Sequence, residues 1–223
     1  MENIISMSAE DLRLINKVVE KINSGKEAII VPVVVEAYSI VADCFYNVEE
    51  KVKRDGGSVL YGWSVLFSSY LCEAERHAIW KSSSGELIDI TQHTGGMQYS
   101  CFVEEDLDYQ GQLIDNVRVN ITENKIVDDW IMICETKSKI ESYATQTRVD
   151  NKIQVEYSNP IHIGLIKKYE HLINVLNYYL NNNATENSIC CCKSGKIYKD
   201  CHSTILHTDS QKDLTQLKSI FGK

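Results

Sequence analysis

Four soft metal ligands fall within thirteen consecutive positions near the end of the chain: Cys190, Cys192, Cys201 and His202. The spacing is C-x-C, eight residues, then C-H. Thiolates and an imidazole held this closely in sequence can build a closed tetrahedral zinc site. Two thiolates one residue apart grip an ion from a tight turn, and a short loop returns Cys201 and His202 to its other side. Ser194-Gly195 supply that turn, because Gly accepts positive φ at little cost. Lys193, Lys196 and Lys199 offset the negative charge of three thiolates. Zinc binding in comparable peptides supplies about 10 kcal/mol or more of folding free energy, so the stretch reads as a structural Zn2+ site. Cys191 stands between the paired cysteines and leaves open which two of the three bind.

A second group is spread over the first hundred residues: Cys44, His77 and Asp89. Cys44 follows Asp43, a helix N-cap residue type, and so falls in the first turn of the expected helix. There the helix dipole favours thiolate, the form that attacks a carbonyl. His77 lies in Glu75-Arg76-His77-Ala78-Ile79-Trp80, a strand-like run, and Asp89 in the next, Gly85-Glu86-Leu87-Ile88-Asp89-Ile90-Thr91. With a three-residue turn centred on Ser83, positions 77 and 89 would face each other across a hairpin. A neutral imidazole would then take the thiol proton on one nitrogen and be oriented by the carboxylate through the other. Glu73, Glu75 and Asp89 are alternative carboxylates that would bind a metal with His77 if they converged. His93, beside Gly95-Gly96, reads as a surface turn next to the site.

Both groups resemble known families. Cys190, Cys192, Ser194, Gly195, Cys201 and His202 are similar to the SEC-C motif, a short zinc-binding module found at the C-terminus of the bacterial protein-export motor ATPase and of many unrelated bacterial proteins. The resemblance spans residues 188–203 and implies zinc and docking to a protein partner rather than catalysis. Cys191 and Lys193 stand where that motif commonly has Pro and Gly. Residues 40–92 resemble the papain-like and transglutaminase-like cysteine hydrolases. Asp43-Cys44-Phe45-Tyr46-Asn47-Val48 is similar to their nucleophile helix, Gly57 through Tyr61-Gly62-Trp63 to their first strand, and the His77 and Asp89 runs to their histidine and acid strands. The resemblance implies Cys44 as nucleophile, His77 as general base and acid, and Asp89 as its orienter. Papain-type enzymes carry an oxyanion-binding Gln six residues before the cysteine; here Tyr38 stands there, which leaves the backbone amide of Cys44 as a donor.

The elements that must position these residues follow from local signals. Ser8-Ala9-Glu10-Asp11 starts a helix, carried on by Leu12, Ile15, Val19 and Ile22 and closed by Gly25. Ala28 to Val35 reads as strand or buried helix. A second helix runs from Asp43 to about Arg54, with Phe45, Val48 and Val52 on one face, and Gly56-Gly57 end it. Strands follow at Ser58–Phe67, Arg76–Lys81, Glu86–Thr91 and about Gln98–Val103, then one around Val117–Ile121. Glu104-Glu105-Asp106 with Asp108 reads as a solvated loop. A helix covers Lys125 to about Tyr143. Asn159-Pro160 begins a long one whose apolar face holds Leu165, Ile166, Tyr169, Leu172, Ile173, Leu176 and Leu180. The expected fold is α+β: a papain-like or transglutaminase-like core in residues 1–155, with the nucleophile helix packed on an antiparallel sheet. A helix and linker follow in 156–187, then the zinc knuckle and a polar tail in 188–223.

Composition narrows the function. The chain has 223 residues, 43% hydrophobic and 24% charged, enough for one substantial core and a small appendage. A net charge of −8 argues against a general nucleic-acid binder. No apolar run is long enough to span a bilayer. The first ten residues lack the basic stretch and apolar core of an export signal, so a cytoplasmic protein is expected. In a reducing compartment Cys44, Cys72, Cys101 and Cys134 are not disulfide partners, and a scattered cysteine is most simply a small buried hydrophobe. Two function classes fit. One is a cysteine hydrolase or acyltransferase acting on an amide or thioester. The other is a non-enzymatic zinc-binding adaptor, or a thiol redox sensor, whose first domain keeps only the fold.

Overall fold

Two long strands organise the first half of the chain. The alternating runs Ser58–Phe67 (β2) and Leu71–Lys81 (β3) pair antiparallel along their whole length, with Gly62 opposite His77 and Ser64 opposite Glu75. Four further strands join them: Ala28–Pro32 (β1), Leu87–Ile88 (β4), Tyr99–Glu104 (β5) and Val117–Asn120 (β6). The order is β1-β5-β2-β3-β4, with β6 also on β3. All of this comes from a computed structural model that describes residues 8–93, 95–106, 113–149 and 152–222, apart from the side chains of 148 and 152. The described residues form two compact units, one from Met1–Tyr109 with Asn116–Ile121, the other from Gln110–Asp115 with Thr122–Lys223.

In the first unit the sheet curls until its ends meet. Val33, just past β1, bridges Asp89, just past β4. Asp89 N donates to Pro32 O (2.9 Å), and Val34 N donates to Asp89 O (2.8 Å). Val31, Ile79 and Phe102, with Leu60 and Leu87, fill the inside of this ring. The other face carries two helices. Ala9–Ile22 (α1) opens with a capping box, Ser8 Oγ accepting from Asp11 N and Asp11 Oδ2 from Ser8 N, both at 3.0 Å. It buries Leu14, Ile15, Val18 and Ile22 against Trp63, Val65, Cys72, Ala74 and Val103. Each such aliphatic side chain contributes about 1.5–3 kcal/mol. Cys44–Asp55 (α2) lays Val48, Phe45 and Val52 on Ala78 and Ile90.

The second unit is mostly helical. Lys125–Glu141 (α3) packs against Pro160–Asn181 (α4) and His202–Phe221 (α5). Asn124 caps α3 and Asn159 caps α4, each through its side-chain oxygen. Thr145–Val149 (β7) and Lys152–Glu156 (β8) form a hairpin.

Several expectations change. The polar tail is the helix α5: its core positions are Leu206, Ser210 and Leu217, too sparse to read as a stripe. The β7–β8 hairpin was not expected on sequence, although Ile153 and Val155 alternate there with Gln154 and Glu156. Helix α1 ends on Asn23 in the left-handed region (φ 58°), two residues before Gly25. Within Ala28 to Val35, Ala28–Pro32 is strand and Val33 makes an isolated bridge. The acidic run is only partly a loop, since Glu104 ends β5 and Glu105 accepts from Trp63 Nε1; Asp108 lies outside the described residues. Helix α3 and the β7–β8 hairpin, grouped with the first domain on sequence, belong to the second unit because α3 packs on α4 and α5.

Gly62 shows how tightly the ring is closed. A Cβ there would sit 2.1 Å from Val103 O and 2.6 Å from Phe102 Cζ. Gly62→Ala is therefore expected to lower stability by about 1–3 kcal/mol in urea denaturation. Gly164→Ala, on α4 with open space around it, should be neutral or stabilising by up to about 1 kcal/mol. A neutral Gly62→Ala would show that the ring is looser than described.

Candidate functional site

The ring and α2 bring Cys44, His77 and Asp89 together at one end of the first unit. His77 Nε2 lies 2.8 Å from Asp89 Oδ2, and Cys44 lines the same cleft as His77, where its thiol favours the charged ring. With Nε2 on the carboxylate, Nδ1 is the ring nitrogen left for the thiol. All three are buried, Asp89 completely, yet Cys44 and His77 line an open cleft of about 550 Å3. Val41, Leu66, Phe67 and Met97 give this cleft apolar walls; Glu75, Gln92 and His93 add polar ones.

The hairpin delivers His77 and Asp89 by a different register from the one expected. The turn spans Ser82 to Glu86, with Ser82 N donating to Glu86 O. Trp80 pairs with Ile88 and Lys81 with Leu87. Extending that register sets Thr91, not Asp89, opposite His77. The slip is two residues, so parity is kept and Asp89 reaches His77 from the diagonal position on the same face. Regular pairing of β4 stops at Ile88, and Asp89 is held instead by the hydrogen bonds that close the ring.

Cys44 is placed by Asn47, one turn along α2 and fully buried. Its Oδ1 accepts from Ile40 N (2.8 Å); its Nδ2 donates to Ile40 O (2.8 Å) and to Thr91 Oγ1 (3.1 Å). One amide thus fastens α2 to the loop before it and to the segment that carries Asp89. Asp43 occupies the cap position without a side-chain capping bond, so its carboxylate does not close over the first turn. Arg76 is no neighbour of the imidazole ring: strand alternation sends its guanidinium to the other face, 4.9 Å from the Trp63 ring centroid. Tyr38 lies away from the cleft. The Arg54 guanidinium stacks on its ring at 4.2 Å, and its buried hydroxyl has no hydrogen-bond partner among the described residues.

His93 is not a surface turn. Its side chain is 10% exposed, and its Nε2 lies 2.6 Å from the same Asp89 Oδ2 that His77 uses. Asp89 Oδ1 accepts from Thr91 N at 3.0 Å. The sequence placed His93 beside the site but carried no sign of this contact. Glu73, one of the alternative carboxylates, is turned to Arg118 and Asn116.

Charge follows from these contacts. Burial opposes the imidazolium of His77, but the hydrogen bonds to Asp89 and Cys44 outweigh it and push the ring up to about 10. Burial likewise opposes the Asp89 carboxylate, and the two imidazoles overcome it, holding Asp89 well below its usual range. Cys72 and Cys101 sit in or against the core around α1, where burial pushes their thiols up to about 12 and about 11.

At the other candidate site, Cys190, Cys192, Cys201 and His202 bring their ligand atoms within 4.8 Å of one another, and the cluster could hold a metal ion. Cys192 Sγ is 3.5 Å from Cys201 Sγ, and His202 Nδ1 is 3.8 Å from Cys201 Sγ and 2.7 Å from Cys190 Sγ. Cys191 is outside the group; it is exposed, and its N–H donates to Tyr179 Oη. The turn that sequence assigned to Ser194-Gly195 needs two left-handed residues, Lys193 (φ 60°) and Gly195 (φ 76°). Ser194 draws the Cys192 thiol down to about 7. Cys201 and His202 open α5, whose positive end favours thiolates. Tyr198 Oη donates to buried Asp129 (2.8 Å), which also meets His207 Nε2 at 3.1 Å, tying the knuckle to α3.

Among the described residues no helix is long and apolar enough to cross a membrane. No family model, curated protein or solved structure matches this chain.

The ion pair sets a pH window. His77 titrates higher in the fold than the ordinary 6.5, so its contribution is full below about pH 6.5 and is lost as pH rises toward 10. Asp89 titrates below the ordinary 3.8, so its contribution is full above that value and is lost in acid. Stability of the first unit should therefore peak between about pH 4 and 6.5 and decline on the alkaline side. In His77→Gln the alkaline decline should flatten; the same slope in wild type and variant, measured by urea denaturation across pH, would contradict the pairing.

Proposed function

We propose that the chain is a cysteine hydrolase or acyltransferase of papain-like or transglutaminase-like type, with a SEC-C-like zinc module that docks a protein partner in the cytoplasm. The observation that carries the enzymatic reading is the His77–Asp89 pair set beside Cys44 on the lining of one cleft with apolar walls. The adaptor alternative expects Cys44 shut away among aliphatic side chains; its place with His77 on the lining of the cleft favours catalysis instead.

The chemistry follows from the row. Cys44 Sγ, as thiolate, attacks the carbonyl carbon of an amide or thioester. Its negative charge passes to the carbonyl oxygen, where the N–H groups opening α2 and the Gln92 amide are the available donors. His77 gives its Nδ1 proton to the departing amine or thiol, the C–N or C–S bond breaks, and an acyl-enzyme remains. His77, now neutral, takes a proton from water or another acceptor nucleophile, which attacks the thioester and releases Cys44. Asp89 keeps the ring oriented throughout.

At the knuckle, zinc is the metal that three thiolates and one imidazole suit best. Its role is to hold the turn and the start of α5, and the partner would meet the surface it supports.

Two experiments test this reading. Cys44→Ala should abolish labelling by an electrophilic acyl probe and leave zinc content unchanged; equal labelling of wild type and variant would count against the enzyme. Cys192→Ser should lose zinc and the far-UV helical signal of α5, whereas Cys191→Ser should retain one zinc per chain. Loss of zinc in Cys191→Ser would reassign the ligands.

A further inference from the structure

His77, Asp89 and His93 do more than complete a hydrogen-bonded row. Their three ligand atoms, His77 Nε2, Asp89 Oδ2 and His93 Nε2, lie within 4.8 Å of one another. Both imidazoles aim at one oxygen, at 2.8 and 2.6 Å, and their ring centroids are 5.2 Å apart with the planes tilted by 47°. This is a facial arrangement of two imidazoles and a carboxylate. We propose that it is a second divalent-metal site, selective for zinc-like ions, whose occupation switches off the thiol chemistry of Cys44.

The geometry requires little movement. Ligands at zinc distances of about 2.0–2.2 Å in a tetrahedron stand roughly 3.4 Å apart, so the two nitrogens need to withdraw from the carboxylate by less than about 1 Å. The ion replaces the N–H protons that now bridge each ring to Asp89, and those protons leave to solvent. The surroundings suit it. Asp89 is fully buried and His77 and His93 nearly so, which excludes competing water from three positions. His77 and His93 line the cleft, leaving a fourth position for water or a ligand entering there. His93 is carried on a segment whose Gly95 and Gly96 have positive φ and open space around them.

The consequence for Cys44 follows from the two nitrogens of His77. With Nε2 on the metal, the ring is neutral and keeps its one remaining proton on Nδ1. It then has no free lone pair with which to accept a proton from Cys44. Asp89, turned to the metal, no longer orients the ring. This inhibitory step rests on the hydrolase reading above; metal binding itself does not.

The test uses the full chain with its C-terminal site loaded. Zn2+ is titrated by calorimetry and bound zinc counted by atomic absorption, in parallel with the rate of Cys44 alkylation by iodoacetamide. Wild type is expected to take up a second equivalent and its Cys44 labelling to slow at least tenfold. His93→Ala is expected to hold one equivalent only, and its labelling rate, whatever its value without zinc, should not change when zinc is added. His93→Gln, similar in size and still able to donate to Asp89, gives the same readout should the alanine variant not fold. A single equivalent in wild type, or a second equivalent that persists in the folded His93 variant, overturns the site. A second equivalent lost in the variants while zinc leaves the labelling rate unchanged overturns the switch. Cys44 that resists alkylation at all pH values removes the hydrolase reading and with it the switch, while the stoichiometry still decides whether the metal site exists.

Discussion

A carboxylate with no exposed surface must be answered on every side, and Asp89 is the point at which the first unit meets that demand. Its backbone closes the ring by bonding Pro32 and Val34. Its side chain accepts from His77, His93 and the Thr91 amide. An unpaired buried charge costs several kcal/mol, and these three donors together spare Asp89 that cost. Closure of the sheet and assembly of the site are therefore one event. The strand that seals the ring carries the carboxylate that orients the imidazole.

Asn47 extends this coupling to Cys44. A single buried amide holds the Ile40 backbone on both its N–H and its C=O and reaches Thr91, two residues from Asp89. The start of α2 is thereby fixed relative to the acid. Polar groups buried this deeply rarely serve stability alone. Here they set where a thiol stands relative to an imidazole, while the apolar packing of Val48 on Ala78 and Ile90 supplies the adhesion.

Much of this was legible in local chemistry. Ser8 and Asn159 announced helix starts because a cap is made within a few residues. Positions 77 and 89 were expected on one face, and they are, although the assumed turn was too short. Side-chain parity tolerates a slip of two and not of one. The knuckle ligands were readable because their spacing is itself the geometry; the exclusion of Cys191 was not, since it depends on Tyr179 from a different element. His93 and Asn47 escaped because their partners are set by ring closure and by a loop, neither of which leaves a periodic trace. Helix α5 escaped because it buries so few apolar residues, and the unit boundary because α3 packs on α4 and α5, which follow it.

The central claim is that Asp89 holds His77 as a charged, oriented partner of Cys44. The most direct measurement is the protonation state of His77 by 15N NMR across pH, in the metal-free first-unit site. Both ring nitrogens of His77 should carry protons at pH 8 and lose one only as pH approaches about 10, and this should collapse in Asp89→Asn. A His77 that titrates near 6.5 in wild type, unchanged by Asp89→Asn, would contradict the account.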